Sequence, residues 1–295
     1  MAPATTSHST ATIALVVHGL RPEATALALD VATWLIAQGH QVRVPTPDAA
    51  QIGLDESSCD PDKLTLGLDL AVSVGGDGTM LRTVRLVSGD DVPVLGVNLG
   101  RLGYLAQAEP GELRVALERF VAGDYGIEER LMIEVEVDAP SGALPAGSRI
   151  GLNEAMVEKP SSGRTVSLSV SINGRSFLTY AADGLIVATP TGSTAYSFSA
   201  RGPIISPTLR ALSLTPVSAH MLFDRPMVLG PTETIRIEVI DDRPATLTVD
   251  GEELGALERG DAIVCRAAPQ VARLVTFGNR DFYRLLKAKF GLTDR

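Results

Sequence analysis

Leu68-Asp69-Leu70-Ala71-Val72-Ser73-Val74 runs into Gly75-Gly76-Asp77-Gly78-Thr79 and then into a helical pattern that starts at Met80. A short apolar run, a glycine turn and a helix make one strand–turn–helix unit. Neighbouring stretches repeat the unit. Ile13-Ala14-Leu15-Val16-Val17 reads as a buried strand. Pro22 opens a helix whose apolar positions Ala24, Leu27, Ala28, Val31 and Leu35 recur at three- and four-residue steps. Gly39 closes that helix, Val42 and Val44 begin the next strand, Pro93 to Val97 forms another, and a helix follows from about Gly111 to Phe120. Strands alternating with helices predict an α/β domain over residues 11–124, built on an open parallel sheet with helices on both faces.

Beyond Asp124 the period changes. Ile133-Glu134-Val135-Glu136-Val137 alternates strictly, as does Val166-Ser167-Leu168-Ser169-Val170-Ser171-Ile172, which ends in the hairpin dipeptide Asn173-Gly174. Ile235, Ile237 and Val239, then Leu247 and Val249, keep the period of two. Residues 125–270 are therefore expected to form a β-rich, sandwich-like domain, with Asp138 to Ser148 as a loop inside it. Residues 271–295 form a closing segment that is helical from Asp281 to Phe290, and residues 1–10 a flexible N-terminus.

The bulk numbers fit a globular chain. Hydrophobic residues are 45% of the 295 and charged residues 21%, with only 4% aromatic, so Val, Ile, Leu and Ala are the expected core material. A net charge of −9 argues against nucleic acid as a partner, because that affinity rests largely on neutralising phosphates. A nucleotide remains a possible ligand for a local site of N–H groups, a few cations and a metal. Cys59 and Cys265 lie far apart without a CxxC partner, which predicts two reduced thiols and no zinc site. No stretch approaches 18 uninterrupted apolar residues, and Met1 to Thr10 carries no basic start, so the expectation is a cytoplasmic protein without a membrane partner.

Four stretches carry chemistry. In the Gly-Gly-Asp-Gly-Thr loop, glycines let the backbone approach a ligand, and the helix that follows directs N–H groups at an anion. Asp77 beside phosphates makes sense if it takes a proton from an attacking hydroxyl or holds a metal; it reads equally as a helix cap in a tight turn. No Lys follows the glycines, so this is not a Walker A loop. From Thr189 to Ser199, seven of eleven residues carry hydroxyls, which suits binding of ribose and phosphate or, alternatively, a heavily capped short helix. Asn153-Glu154 stands inside the apolar run Ile150 to Val157, read as a strand, either as a polar pair that reads a base and a ribose or with one residue facing solvent. Gly96 to Leu105 follows the Pro93 to Val97 strand, where ligands of open α/β sheets sit. The four histidines, His8 and His18 among them, form no metal or nucleophile constellation.

Taken together and in order, these stretches resemble the NAD kinase family. The likeness spans about residues 72 to 290: the Gly-Gly-Asp-Gly-Thr loop, Asn98 to Leu105, Asn153-Glu154, Asp183-Gly184 and Thr189 to Ser199. It continues through His220 to Pro226, Val249-Asp250-Gly251 and the Phe282-Tyr283 helix. Tyr104 stands where that family often has Phe. Gly-Gly-Asp-Gly alone would not separate it from lipid, small-alcohol or sugar-phosphate kinases; the Thr189-to-Tyr196 run with Asn153-Glu154 does. The resemblance implies an α/β domain followed by a β-sandwich-like one, with the C-terminal segment returning to the first. It implies ATP, or polyphosphate in some members, as donor, NAD as acceptor, a divalent cation (Mg²⁺ or Mn²⁺) carried mainly by the ATP phosphates, and a homodimer or homotetramer. By position, Asp77 is implied to be the general base, with Gly76, Gly78 and Arg82 beside the nucleotide. Asn98, Tyr104, Asn153, Glu154, Arg164, Asp183, Thr191, Thr194, Ala195, Tyr196, Ser197, Phe198 and Ser199 are implied to bind substrate. Since Asp77 and most of these residues fall in different domains, a single site holding them all is expected between the two. A lipid or small-alcohol kinase, or an NAD sensor without turnover, are the rival readings.

Overall fold

The computed structural model describes residues 10–100, 103–161, 163–278 and 281–292. The N-terminal expectation for residues 1–10 falls almost wholly outside these, as does the expected Arg101-Leu102 part of the fourth stretch. In chain order the strands and helices begin with β1 (Thr12–Val17), α1 (Pro22–Ala37), β2 (Gln41–Pro45), α2 (Thr46–Ile52), β3 (Ser58–Cys59), β4 (Leu70–Gly75), α3 (Asp77–Val87), β5 (Val94–Asn98) and α4 (Leu113–Val121). Then come β6 (Gly126–Asp138), β7 (Gly147–Gly151), β8 (Glu154–Glu158), β9 (Val166–Ile172), β10 (Arg175–Ala182), β11 (Gly184–Ala188), the one-turn α5 (Tyr196–Ser199) and β12 (Leu212–Val217). The chain closes with β13 (Met227–Leu229), β14 (Ile235–Val239), β15 (Ala245–Val249), β16 (Glu252–Leu257), β17 (Ala262–Thr276) and α6 (Phe282–Phe290). Two compact units result, one of Met1–Glu129 with Ala272–Arg295 and one of Arg130–Val271.

In the first unit the strands run β3-β2-β1-β4-β5, all parallel, and Leu274 near the end of β17 adds alongside Val94 of β5. From β1 the chain winds first outward to β2 and β3, then back past β1 to β4 and β5. That reversal creates the switch point where open α/β sheets keep their ligands. Register brings the strand ends level there: Val17 pairs with Val74, and Gly75 with Asn98. The loops after β1, β4 and β5 consequently leave the sheet along one edge. Beneath them Ile13, Leu15, Leu70, Val72 and Leu95 join Leu35 of α1 and Leu117 and Phe120 of α4 in one buried cluster. Parallel strands buried on both faces explain why these segments read as unbroken apolar runs.

The second unit stacks two antiparallel sheets. One runs β10-β9-β14-β17, with β6 and β7 continuing beyond β17; the other runs β13-β12-β11-β8-β15-β16. Leu168, Val170, Tyr180 and Ile237 of the first sheet share a core with Val157, Leu185, Val187, Leu214 and Leu247 of the second. The alternating polar residues of β9 and β14 face away from that core, which is the sandwich the period of two called for. The turn between β9 and β10 falls on Asn173 and Gly174, both at positive φ, as the dipeptide predicts.

Two local expectations shift. The run Ile150 to Val157 is not one strand: β7 stops at Gly151 and β8 starts at Glu154, so Leu152 and Asn153 occupy a break. The helix expected from Met80 begins three residues earlier, at Asp77. Among the described residues no helix is long and apolar enough to cross a membrane. Cys265 is fully buried in the second core, and that burial pushes its thiol up to about 12, whereas Cys59 is partly exposed. With Ellman's reagent one thiol per native chain should react promptly and the second only after denaturation, because thiolate and access are both needed. Two fast-reacting thiols would show that the second core is open.

Candidate functional site

In the first unit, β4 delivers the glycine loop to the switch point and α3 carries it away. Gly76 is extended, with φ of −108° and ψ of −169°, and stands at the N-cap position, while Asp77 is the first residue of the helix. Asp77 is therefore not the cap, and its carboxylate is left for other work. The N–H groups of Gly78 and Thr79, in the first helical turn, have no carbonyl one turn earlier to bond. Both residues border a cavity of about 520 Å³ together with Val17 to Arg21, Pro47, Asp48, Gln51, Gly76, Asp77 and Arg82. His18 anchors its loop by donating its backbone N–H to Val74 (3.0 Å), and its Nδ1 is buried without a partner.

Asp77 also meets the chain that follows β5. The backbone N–H of Tyr104 donates to its Oδ2 at 3.4 Å, and a Cβ on Gly103 would sit 2.4 Å from its Oδ1. Any side chain there would require the Asp77 carboxylate to move. Tyr104 packs against Phe282 with ring centroids 6.4 Å apart, and Lys289 of α6 places its Nζ 3.8 Å from the Tyr104 ring centroid. Burial and, second, the nearby Asp77 charge raise the phenol above its ordinary range. Asn98 is buried and donates from Nδ2 to the Gly100 carbonyl at 3.3 Å; it borders a second cavity, of about 680 Å³, with Arg21, Leu99 and Pro110. Asp77, Gly76, Gly78 and Arg82 thus share one cavity and Asn98 opens on another, all in the first unit.

In the second unit the break between β7 and β8 is organised by a residue about 100 positions later. Asp250, in the turn between β15 and β16 at φ of 50°, accepts the N–H groups of Leu152 (2.7 Å), Asn153 (2.7 Å) and Glu154 (3.1 Å). The freed carbonyls turn to Thr189: its N–H donates to Asn153 (2.8 Å) and its hydroxyl to Leu152 (2.5 Å). Gly192 lies so close above that a Cβ would stand 2.0 Å from the Asn153 oxygen, so no other residue fits without moving the loop. Glu154 is buried, its Oε2 has no partner, and burial, followed by the Asp250 charge, pushes its pKa up to about 8. It is a neutral acid at pH 7, able to donate a proton to a ligand oxygen.

The hydroxyl-rich run divides by role. Thr189 and Ser193 are fully buried and hold the turn: the Ser193 hydroxyl donates to Pro190 (2.6 Å) and accepts from Ile205 (3.0 Å). Ser197 is buried against the Thr215 hydroxyl at 3.2 Å. Thr191 accepts from the buried Arg130 at 3.2 Å, and Thr194 donates to the Thr191 carbonyl. Ala195 is partly exposed, and Tyr196, Phe198 and Ser199 face solvent. Tyr196 and Ser199 border a cavity of about 470 Å³ with Val217, Ala219 and Arg225. Asp183 accepts from Lys159 Nζ at 2.6 Å, and Arg164 is exposed on the turn before β9.

Both halves of the chain match known proteins. Residues 13–125 match the family model described as ATP-NAD kinase N-terminal domain, and residues 152–277 the model described as ATP-NAD kinase C-terminal domain. The chain belongs to the NAD kinase family. An NAD kinase of Heliobacterium modesticaldum is 41% identical over 279 residues, 94% of this chain and 98% of its own, and one of Syntrophotalea carbinolica is 40% identical over 275, 93% and 96%. A crystal structure of yeast NADH kinase complexed with NADH superposes with a TM-score of 0.89 at 25% identity, covering 98% of this chain and 89% of that one. An NAD kinase from Archaeoglobus fulgidus in complex with ATP has the same fold, at a TM-score of 0.71 and 24% identity over 97% of this chain and all of that one.

For this family member, residue-by-residue reading gave no role to Asp250, Asp48 or the His18 Nδ1, which is buried without a partner. Asp250 signals itself only through Val-Asp-Gly at a tight turn, and Asp48 as a lone carboxylate in Pro-Asp-Ala-Ala. The Glu154 pKa has a consequence for stability. Folding favours the protonated form, so its stabilisation is complete below the ordinary 4.5 and is lost as pH rises through about 8. Glu154→Gln removes that loss, and the variant should gain on the wild type by about 3–5 kcal/mol between pH 5 and pH 9 in urea titrations. A gap that does not change with pH would mean Glu154 is ionised throughout.

Proposed function

We infer that this protein transfers the terminal phosphoryl group of ATP to the 2′-hydroxyl of the adenosine ribose of NAD, giving NADP and ADP. The observation that carries this reading is the match of both family models in sequence, with the Gly-Gly-Asp-Gly-Thr loop at the switch point of a parallel sheet. Its relatives are NAD and NADH kinases, and nothing among them favours a lipid or small-alcohol acceptor.

In the reading we propose, Asp77 takes the proton of the ribose hydroxyl as its oxygen bonds to phosphorus and the β–γ bridging bond breaks. A secondary hydroxyl is a poor nucleophile, and a placed general base is worth roughly 10²–10⁴-fold. Gly76 and Gly78 bring backbone N–H groups toward the phosphates, with Arg82 beside them. Asn153, the neutral Glu154, Asp183, Thr191, Thr194, Ala195, Tyr196 and Ser199 recognise NAD, along with Asn98, Tyr104, Arg164 and Phe198. Ser197 serves this group by fixing the turn under Tyr196. A divalent cation rides on the ATP phosphates and offsets developing charge. Among the described residues no group of three or more His, Cys, Asp or Glu side chains is placed to hold a metal ion.

We also propose a cytoplasmic homodimer or homotetramer. Support comes from two unpaired cysteines and from Phe177 and Phe223, exposed on the second unit with rings 5.9 Å apart beside the exposed Leu222.

The decisive assay is purified protein with ATP, Mg²⁺ and NAD, scored for NADP, with polyphosphate in a parallel lane. Asp77→Asn should lower kcat by at least about 100-fold with little change in NAD affinity; near wild-type turnover would leave Asp77 without a catalytic part. Glu154→Ala should raise the KM for NAD far more than that for ATP, and equal effects on the two would make Glu154 a structural residue only.

A further inference from the structure

Asp48 lies in the first turn of α2, well before the glycine loop in the chain, yet it is only 2% exposed. Its carboxylate accepts three hydrogen bonds. Oδ2 takes the Val17 backbone N–H at 2.9 Å and one Arg82 nitrogen, and Oδ1 takes the other Arg82 terminal nitrogen at 2.8 Å. Arg82 closes the ring by donating to the Val17 carbonyl at 3.0 Å. The end of β1, the first turn of α2 and the second turn of α3 are pinned together by one fork-to-fork pair.

That pair is not sealed in the core. The Arg82 side chain keeps 36% of its surface against 3% for Asp48, and both border the cavity that Gly76, Asp77 and Thr79 line. A guanidinium has five N–H donors in a rigid plane. Three are used here, two on Asp48 and one on Val17, which leaves Nε–H and one terminal N–H. A free arginine on a helix samples many rotamers, whereas this plane is fixed by two points on two other elements.

We propose that Asp48 is a positioning residue, holding the Arg82 guanidinium so that its remaining N–H donors face the phosphoryl oxygens of the nucleoside triphosphate. The proposal rests on the kinase reading for the anion it names, and it assigns Asp48 no contact with substrate. Asp48 acts through Arg82 alone. Its removal should therefore cost ATP binding and leave NAD binding in place.

The test is a double-mutant cycle read by calorimetric titration of ATP with Mg²⁺ in the absence of NAD, alongside steady-state kinetics. Asp48→Ala and Arg82→Ala should each raise the ATP Kd about tenfold, or ~1.4 kcal/mol, and the double variant should be no weaker than Arg82→Ala. The KM for NAD should stay within about twofold, the limit expected of independent sites. Additive losses would overturn the proposal, as would equal rises in both KM values or a lowered Tm with unchanged ATP Kd. Should Asp48→Ala not fold, Asp48→Asn keeps the volume and one acceptor while removing the charge that fixes the fork; it should show the same selective, non-additive loss. If wild type binds ATP without forming NADP, the acceptor is misassigned while the cycle still decides the tether; if it binds no ATP, both fall.

Discussion

Three consecutive backbone N–H groups, those of Leu152, Asn153 and Glu154, converge on the single carboxylate of Asp250. A chain that leaves one strand and enters another inside a sandwich exposes polar backbone that must find partners. Here one carboxylate accepts all three, Oδ2 from Leu152 and Oδ1 from both Asn153 and Glu154. The rest of the second unit's site is built on that arrangement. With its donors satisfied, the break can offer its carbonyls to Thr189, which fixes the start of the hydroxyl-rich turn, and Gly192 can close down on Asn153. Burial chiefly, and the Asp250 charge second, raise the Glu154 carboxyl, so a structural hydrogen-bond hub contributes to the protonation state of its neighbour.

The first unit solves the same problem by a different route. Its catalytic candidate sits where parallel strands end level and their loops leave the sheet together, so the N–H groups of a helix start border the cavity there. Carboxylates there are in demand for opposite reasons. Asp48 is consumed by neighbours, with every oxygen engaged, while Asp77 has one long bond to Tyr104 and opens on the cavity. A carboxylate meant for proton transfer must remain under-engaged, and that contrast separates the two better than their burial does.

How much of this was legible in sequence follows from the distance over which each interaction acts. Strand and helix periods are local, so the parallel sheet, the β9–β10 hairpin and the sandwich could be read directly. The Gly-Gly-Asp-Gly-Thr loop and the density of hydroxyls from Thr189 were also legible, because glycine and hydroxyl chemistry is written in adjacent residues. What the hydroxyls do was not: Ser193 and Ser197 turn inward to Ile205 and Thr215, while Tyr196 and Ser199 stay outside, and no spacing rule tells them apart. Asp250 works on residues 96 to 98 positions away and Asp48 on one 34 away. Those pairings exist only once the sheets have formed. The reading of Ile150 to Val157 as one strand failed for the same reason, since nothing in that run reveals the carboxylate that breaks it.

The first unit is also discontinuous, taking its last parallel strand segment and α6 from residues after Val271, whereas the second unit is one unbroken stretch from Arg130 to Val271. In chain order every residue of the second unit therefore precedes the strand segment that completes the first. Nascent domains usually finish in N-to-C order. Here the second unit can be complete first, and until residues 272–276 emerge Val94 of β5 lacks the strand partner that Leu274 later supplies, an open edge position of the kind that chaperones cover.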